Sequence, residues 1–199
     1  MPRPRPIVPQ GRRPATARRP AMRALVLAFL FPFLLESSVR AAAPTEYEVK
    51  AAFLLNFARF VEWPADVFPE PAAPLVIGII GCKELADTLP RMITQQTAQG
   101  RPIQIRELQS LESTQACQVL FIGRTAGAST SDELLKSVRK RPVLTVGDAE
   151  DFNAKGGIIR FLLVDKSVRF DVHARAAADA ALKISSKLLA VARQVITAP

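Results

Sequence analysis

The sequence predicts a single three-layer α/β domain, with a mostly parallel sheet, an edge hairpin and helices on both faces. Short apolar runs such as Leu75–Ile80 alternate with helix-length segments along the chain. That alternation is typical of parallel sheets covered by crossover helices. Near the end, two strand-like stretches flank residues 165–167, which predicts a hairpin. No internal repeat is visible, so one domain over residues 42–199 is expected.

The first element of this domain is a helix that begins after Thr45. Thr45 and Glu48 have the spacing of a capping box. Pro64 ends the run, because a proline disfavours the helical conformation of the residue before it. The sequence therefore predicts a helix that ends near Trp63.

This helix has one apolar face and one polar line. Apolar residues recur at helical spacing, which predicts a core face: Phe53, Leu54, Phe57, Phe60 and Val61. Asn56, Arg59 and Glu62 follow one another at intervals of three on the opposite side. We expect the phenylalanines in the core, whereas Trp63 suits a core and a surface position equally.

The later elements follow from short apolar runs and capping signals. A second capping box, Thr130 with Glu133, predicts the start of a helix. The expected strands are 75–80, 103–108, 117–122, 143–146, 158–164 and 168–172, and the expected later helices are 83–96, 130–140 and 174–196.

The first 41 residues have the pattern of a secretory signal peptide. Seven arginines precede a 12-residue apolar run, and the small-residue site Val39-Arg40-Ala41 follows it. The run is shorter than the roughly 20 residues of a spanning helix, so we expect cleavage after Ala41 and an exported, soluble domain. Met22 would also make a conventional start, which would make residues 1–21 an over-long start.

Most of the net charge of +9 lies in this leader. Eight of the 27 basic residues precede residue 42, and the remaining residues hold 19 basic and 17 acidic side chains. A net charge near +2 removes the main support for a nucleic-acid-binding function.

Cys82 and Cys117 are the two cysteines of the chain. A bridge between them would close a loop of about 35 residues and stabilise the fold by about 3–4 kcal/mol in the chain-entropy model. The alternative is two separate buried thiols, because adjacent parallel strands would place the two cysteines at opposite ends. We expect the bridge, and two separate buried thiols remain the alternative.

The sequence shows no catalytic or metal-binding constellation. His173 is the single histidine, whereas zinc sites and serine or cysteine nucleophiles commonly use histidines. We expect His173 to close a helix terminus, and we expect no cofactor and no metal. The loop 123–129 (GRTAGAS) lies between a strand and a helix, where α/β domains bind anions. Arg124, Thr125 and Ser129 are therefore candidates for a small-ligand site, with an ordinary surface loop as the alternative.

Four blocks of the chain resemble the YfiR/HmsC-like family of bacterial periplasmic proteins: VKAAFLLNFARFVEWP, VLTVGD, FNAKGGIIRF and VRFDVHARAAADAALKISSKLL. The similarity runs from about Glu46 to Arg193. The resemblance implies a three-layer α/β homodimer that binds the periplasmic part of an inner-membrane diguanylate cyclase and represses it. Repression would lower cyclic di-GMP and biofilm formation. The family's first cysteine pair matches Cys82 and Cys117, and its usual residue at position 173 is asparagine.

The resemblance makes the polar line of the first helix a candidate partner surface. Aromatic and arginine side chains often anchor interfaces. The hairpin and the start of the last helix provide further candidates. The candidate partner-binding residues are Asn56, Arg59, Glu62, Trp63, Arg169 and His173. The alternative function is a periplasmic small-ligand sensing domain that uses loop 123–129.

Overall fold

The structure, a computed structural model, describes residues 43–93, 96–110, 114 and 116–197. The signal peptide expected over residues 1–41 lies outside this described part. No helix within it has the length and apolar character needed to cross a membrane.

The first helix, α1, spans Glu46–Phe60 and has the predicted capping box. The backbone N–H of Glu48 donates to the Thr45 hydroxyl oxygen at 3.3 Å, and the N–H of Thr45 donates to the Glu48 carboxylate at 2.7 Å. The helix ends at Phe60, earlier than predicted, because the chain extends there into a short strand, β1 (Val61–Glu62). Pro64 therefore follows β1.

Ten strands and five helices make up the elements that we number in the described chain. After β1 they are, in order, β2 (Leu75–Ile80), α2 (Lys83–Met92), β3 (Thr97–Ala98), β4 (Arg101–Glu107), β5 (Val119–Ile122), α3 (Ala128–Val138), β6 (Leu144–Gly147), β7 (Ile159–Val164), β8 (Ser167–His173), α4 (Ala174–Asp179), β9 (Lys183–Ile184), α5 (Ser186–Val191) and β10 (Gln194–Ile196). Along the chain, β2 is the first strand of the main sheet.

Eight of these strands form one sheet in the order β10-β8-β7-β6-β5-β2-β4-β3. Its pairs are parallel except β7 with β8 and β3 with β4. Strands β1 and β9 pair separately and antiparallel. The predicted fold class, a layered and mostly parallel α/β domain, is confirmed.

The sheet is covered on both faces. Alternate residues of β2 enter two separate clusters: Leu75, Ile77 and Ile79 pack in the cluster with α1 and α2, whereas Val76 and Ile80 pack in the cluster with α3. This alternation follows from the pleat of a strand, which directs successive side chains to opposite faces. Burial on both faces explains why β2 is apolar at every position except Gly78.

Phenylalanines join α1 to the antiparallel pair β7 and β8. The Phe57 ring lies 5.7 Å from the Phe161 ring and 5.0 Å from the Phe170 ring. Phe53 packs against the same rings, so both phenylalanines lie where the sequence predicted. Phe60 does not lie in the core as predicted, because the helix ends at this residue and its side chain is 38% exposed.

The hairpin of β7 and β8 forms with Ile159 opposite Val172, and β10 lies outside it at the edge of the sheet. The prediction of one helix over 174–196 is wrong. Ala181 takes a left-handed conformation, with φ of 54°, and Ile184 pairs with Val61 across β9 and β1. Tertiary pairing overrides the helical spacing of the apolar residues in this segment.

Two smaller differences concern helix ends. Helix α3 begins at Ala128 after Gly127, so Thr130 lies inside the helix and the predicted capping box does not form at its start. Helix α2 ends at Met92, two residues beyond Pro90, and is shorter than predicted.

Candidate functional site

Three exposed side chains lie at the end of α1 and in β1, and we call them the α1 rim: Arg59, Phe60 and Glu62. Arg59 and Glu62 belong to the predicted polar line, and Phe60 is the residue that sequence reasoning assigned to the core. Asn56, one turn earlier, is half-buried. Aromatic and arginine side chains are enriched at protein interfaces, where charged groups mostly lie at the rim.

Contacts with the chain around β3 hold Arg59 in place. Its Nη2 donates to the Gln96 side-chain oxygen at 2.7 Å, and its Nε approaches the Thr97 carbonyl oxygen at 3.5 Å. Gln99 donates to the carbonyl oxygens of Ala58 and Val61, and so fixes the end of α1 to the same segment. The guanidinium is therefore oriented before any partner binds.

Trp63 does not belong to this surface. Its side chain is only 9% exposed, and its indole N–H donates to the Gln118 carbonyl oxygen at 3.3 Å. The Gln118 side chain in turn accepts a hydrogen bond from the Val76 N–H at 2.8 Å. The structure thus corrects the candidate contact: Trp63 is a core residue that ties the segment after α1 to β2 and β5.

The two remaining partner candidates lie on β8. Arg169 is exposed near the hairpin turn. His173 is half-buried at the other end of the strand, and its Nδ1 accepts a hydrogen bond from the Ala176 N–H at 3.1 Å. The predicted role of His173, closing a helix terminus, is confirmed at the start of α4. Neither residue belongs to the α1 rim.

The candidate loop 123–129 lies where the strand order reverses between β2 and β5. Ligands commonly bind there in α/β sheets, at the carboxyl ends of the strands. Here the loop fills the space itself. The Thr125 hydroxyl donates to the Gly81 carbonyl oxygen at 2.6 Å. A Cβ on Gly123 would lie 2.0 Å from that same oxygen, so glycine is required for this close approach.

Sequence reasoning missed an ion cluster beside this loop. Lys50 of α1 is 3% exposed and contacts Glu46 at 2.7 Å and Asp148 at 2.8 Å. Asp148 also accepts from the Arg124 N–H at 3.1 Å. Burial lowers the pKa of Lys50, but the hydrogen bonds to Asp148 and Glu46 outweigh burial, so the pKa is raised and the ammonium stays charged. Two features of the sequence could have predicted this cluster. Glu46 and Lys50 have helical spacing, and Asp148 comes directly after a strand.

This cluster and the loop leave little room for a ligand. The groove beside Arg124 has a volume of about 130 Å³, whereas small-molecule sites commonly have roughly 300–1,000 Å³. Ser129 is exposed in the first turn of α3. The Arg124 backbone N–H and the Thr125 hydroxyl bond within the chain, whereas the Arg124 side chain is 64% exposed, with its Nε 3.8 Å from the Asp148 carboxylate.

The structure corrects the expected disulfide. Cys82 and Cys117 are separate buried thiols. Cys82 belongs to the cluster on the α1 face of the sheet and Cys117 to the cluster on the α3 face. The Cys117 sulfur lies against Gly78, where a Cβ would be 2.7 Å away. The sheet therefore separates the two sulfurs, and burial raises the pKa of each thiol.

Within the described residues, no group of three or more histidine, cysteine, aspartate or glutamate side chains is arranged to hold a metal ion.

A family model described as YfiR/HmsC-like matches residues 47–193 of the chain. A search of curated proteins gives no match. Among solved structures, a conserved domain protein from Vibrio cholerae O1 biovar eltor str. N16961 is 12% identical with a TM-score of 0.52, over 76% of this chain and 60% of that one. The ABC domain in complex with L-Trp from Streptococcus pneumonia is 12% identical with a TM-score of 0.45, over 61% of this chain and 55% of that one.

Of these two structures, only the first bears on the fold, and it bears on the fold alone. The chain spans less than two thirds of the length of either one. The first shares the architecture at low identity, and the second is too dissimilar to support an argument. The family match, by contrast, extends from the first turn of α1 to the residue before β10.

Proposed function

The chain belongs to the YfiR/HmsC-like family, and from that premise we propose that it binds and represses an inner-membrane diguanylate cyclase. At the level of the family, its role is that of a periplasmic regulator of cyclic di-GMP signalling, without catalysis of its own. The single observation that carries the proposal is the match over residues 47–193, which includes nearly every described element.

We propose the α1 rim as the surface that contacts the cyclase. Three features support this choice. Phe60 is a large apolar side chain that the fold leaves 38% exposed. Arg59 is already oriented by Gln96 and Thr97, so binding would cost little side-chain entropy. Arg59 and Glu62 provide one charge of each sign, which can select a complementary partner and its orientation.

Repression requires that the protein bind one state of the cyclase more tightly than the other. A ligand shifts a conformational equilibrium only by its differential affinity for the two states. The rigid end of α1 suits this requirement, because β1, β9 and the Gln99 contacts fix its position. The cyclase held in its inactive state would then make less cyclic di-GMP.

Export and self-association belong to the same proposal. The leader pattern places the mature N-terminus near Ala42, and N-terminal sequencing of the periplasmic protein tests that position. A full-length chain recovered from the cytoplasm would contradict export.

The homodimer implied by the family resemblance is tested by light scattering of the purified protein.

The central experiment is recovery of the cyclase with the tagged protein from solubilised membranes, combined with measurement of cyclic di-GMP in the cells. We expect the cyclase to co-purify, and we expect deletion of the protein to raise cyclic di-GMP and biofilm mass. A cyclase that fails to co-purify and an unchanged cyclic di-GMP level in the deletion strain would together overturn the proposal.

A further inference from the structure

A cavity of about 580 Å³ lies between the end of α3, the connection from β6 to β7, and α4. This volume is within the range of small-molecule sites. It is separate from the α1 rim and from loop 123–129. Apolar side chains cover much of its wall, among them Leu135, Val138, Ile158 and Ile196.

Basic side chains line the same cavity. Arg139 and Lys140 follow the last residue of α3, and Arg175 lies in α4. Asp179 is the acidic residue of the lining, and it forms a 3.1 Å ion pair with Arg175. Among the described residues, no carboxylate forms an ion pair with Arg139 or Lys140. The lining therefore has an excess of positive charge next to an apolar wall.

Polar groups in the wall are held in fixed orientations. Asn153 is 6% exposed, and its Nδ2 donates to the carbonyl oxygens of Gly157 and Ile158 at 2.9 and 3.2 Å. Its side-chain oxygen is buried and has no hydrogen-bond partner within the described chain. His173 accepts at Nδ1 from Ala176, so its proton is on Nε2, which is a donor.

The backbone around the cavity has two left-handed residues. Gly156 has a φ of 93°, as glycine commonly does, and Lys140 has a φ of 64°. A lysine in this conformation is uncommon, and here it forms the turn that leads from the end of α3 towards β6.

We propose that this cavity binds a small organic anion with an apolar body. Its carboxylate or phosphate group would contact Arg139 and Lys140, and its apolar body would pack against Val138, Ile158 and Ile196. Charge-assisted hydrogen bonds to arginine provide the selectivity for an anion, and the apolar wall provides the contact area. Ile196 belongs to β10, so the site is complete only when β10 is paired with β8.

The test compares phenylbutyrate with phenylbutanol, a neutral compound of similar size, by calorimetric titration of the purified protein. We expect saturable binding of one phenylbutyrate per chain and affinity for phenylbutanol at least about tenfold weaker. Phenylbutyl phosphate distinguishes the two classes of anion. Equal affinity for the acid and the alcohol, or no binding of either anion at millimolar concentration, would overturn the inference.

Variants then locate the site. Arg139→Glu should weaken phenylbutyrate binding at least about tenfold, whereas Lys136→Glu, the same charge change on an exposed residue of α3 outside the lining, should leave it unchanged. Ala154→Trp, on an exposed residue of the lining, should block both anions. Circular dichroism checks that each variant is folded. An equal loss of phenylbutyrate affinity in Arg139→Glu and Lys136→Glu would place binding elsewhere and overturn the assignment. None of these measurements involves the cyclase, so their outcome does not depend on whether the protein represses a cyclase.

Discussion

Arg193 binds Asp171 through two hydrogen bonds, of 2.7 and 2.5 Å, and so ties the chain before β10 to the middle of β8. Arg160 of β7 donates to the same carboxylate at 2.8 Å. Asp171 is 1% exposed. Burial raises the pKa of this carboxyl group, but the two guanidinium groups outweigh burial, so the pKa is lowered overall.

The first prediction concerns acid stability. A carboxyl group with a lowered folded pKa stabilises the fold fully above its unfolded pKa, near 3.9, and this stabilisation is lost as pH falls through the folded value. Asp171→Asn should lower the free energy of unfolding at pH 7 by up to about 3–5 kcal/mol, because it leaves two arginines without their carboxylate. The difference in the free energy of unfolding between Asp171→Asn and the unaltered protein should shrink between pH 4 and pH 2. Urea unfolding at several pH values measures both effects.

Asp179→Asn is the matched control for Asp171. Asp179 also pairs with an arginine, at 3.1 Å, but both side chains are more than half exposed. Water screens such a pair, so the change in stability should be small at every pH. A similar effect of the two variants would refute the special role of Asp171.

The second prediction concerns charge at the α1 rim. Glu62→Lys places a lysine opposite Lys183 across β1 and β9, but both side chains are exposed, so the fold should be kept with a stability change of under about 1 kcal/mol. Binding of the cyclase should weaken, since a reversed charge at an interface can cost several kcal/mol. Arg59→Glu should also weaken binding, but it removes the Gln96 contact as well. Co-purification and cyclic di-GMP levels give the readout.

Glu133→Lys on α3 provides the matching charge reversal away from the rim. Its side chain is exposed on the opposite face of the sheet. This variant should repress normally. If Glu62→Lys and Glu133→Lys bind the cyclase as well as the unaltered protein does, the rim lies outside the interface, and the hairpin around Arg169 becomes the next surface to vary.

The third prediction separates two neighbouring phenylalanines of α1. Phe57 is fully buried, so Phe57→Ala should lower the free energy of unfolding by about 3–5 kcal/mol. Phe60→Ala removes an exposed ring and should change stability little, yet it should weaken cyclase binding. Thermal unfolding and co-purification are measured on both variants. A Phe60→Ala protein that binds normally would remove the aromatic residue from the proposed contact.

The fourth prediction concerns the two thiols. In the unfolded, unreduced protein, a thiol reagent should modify both Cys82 and Cys117. In the folded protein the reaction should be slow and should accelerate only at alkaline pH, because burial raises the pKa of both thiols and the thiolate is the reactive form. An unfolded sample without reactive thiol would instead show that the bridge forms.

Local patterns predicted much of this fold. The capping box at Thr45 and the fully apolar β2 depend on near neighbours in sequence, and both were read correctly. The segment 174–196 depends on distant pairing, since Ile184 joins β1 and Gln194 lies beside Asp171. Helical spacing of alanines and leucines contains no information about those partners.

The candidate site was predicted in part. Arg59 at the end of α1 and Glu62 in β1 are exposed, as their spacing indicated. Phe60, expected in the core, is exposed, and Trp63, which suited either position, is buried. The early end of the helix turns Phe60 outwards and directs Trp63 to the Gln118 carbonyl. The cavity lined by Arg139 and Lys140 escaped sequence reasoning, because its walls come from four segments that are distant in the chain.

The position of β10 also protects the edge of the sheet. Residues 194–196 come after all the other strands of the described chain, and they pair in parallel with β8 and cover its outer side. Without β10, the outer side of β8 would present unpaired backbone groups, which promote pairing between the sheets of different molecules. A chain cut before residue 194 would therefore lose a barrier against aggregation as well as three residues of sheet.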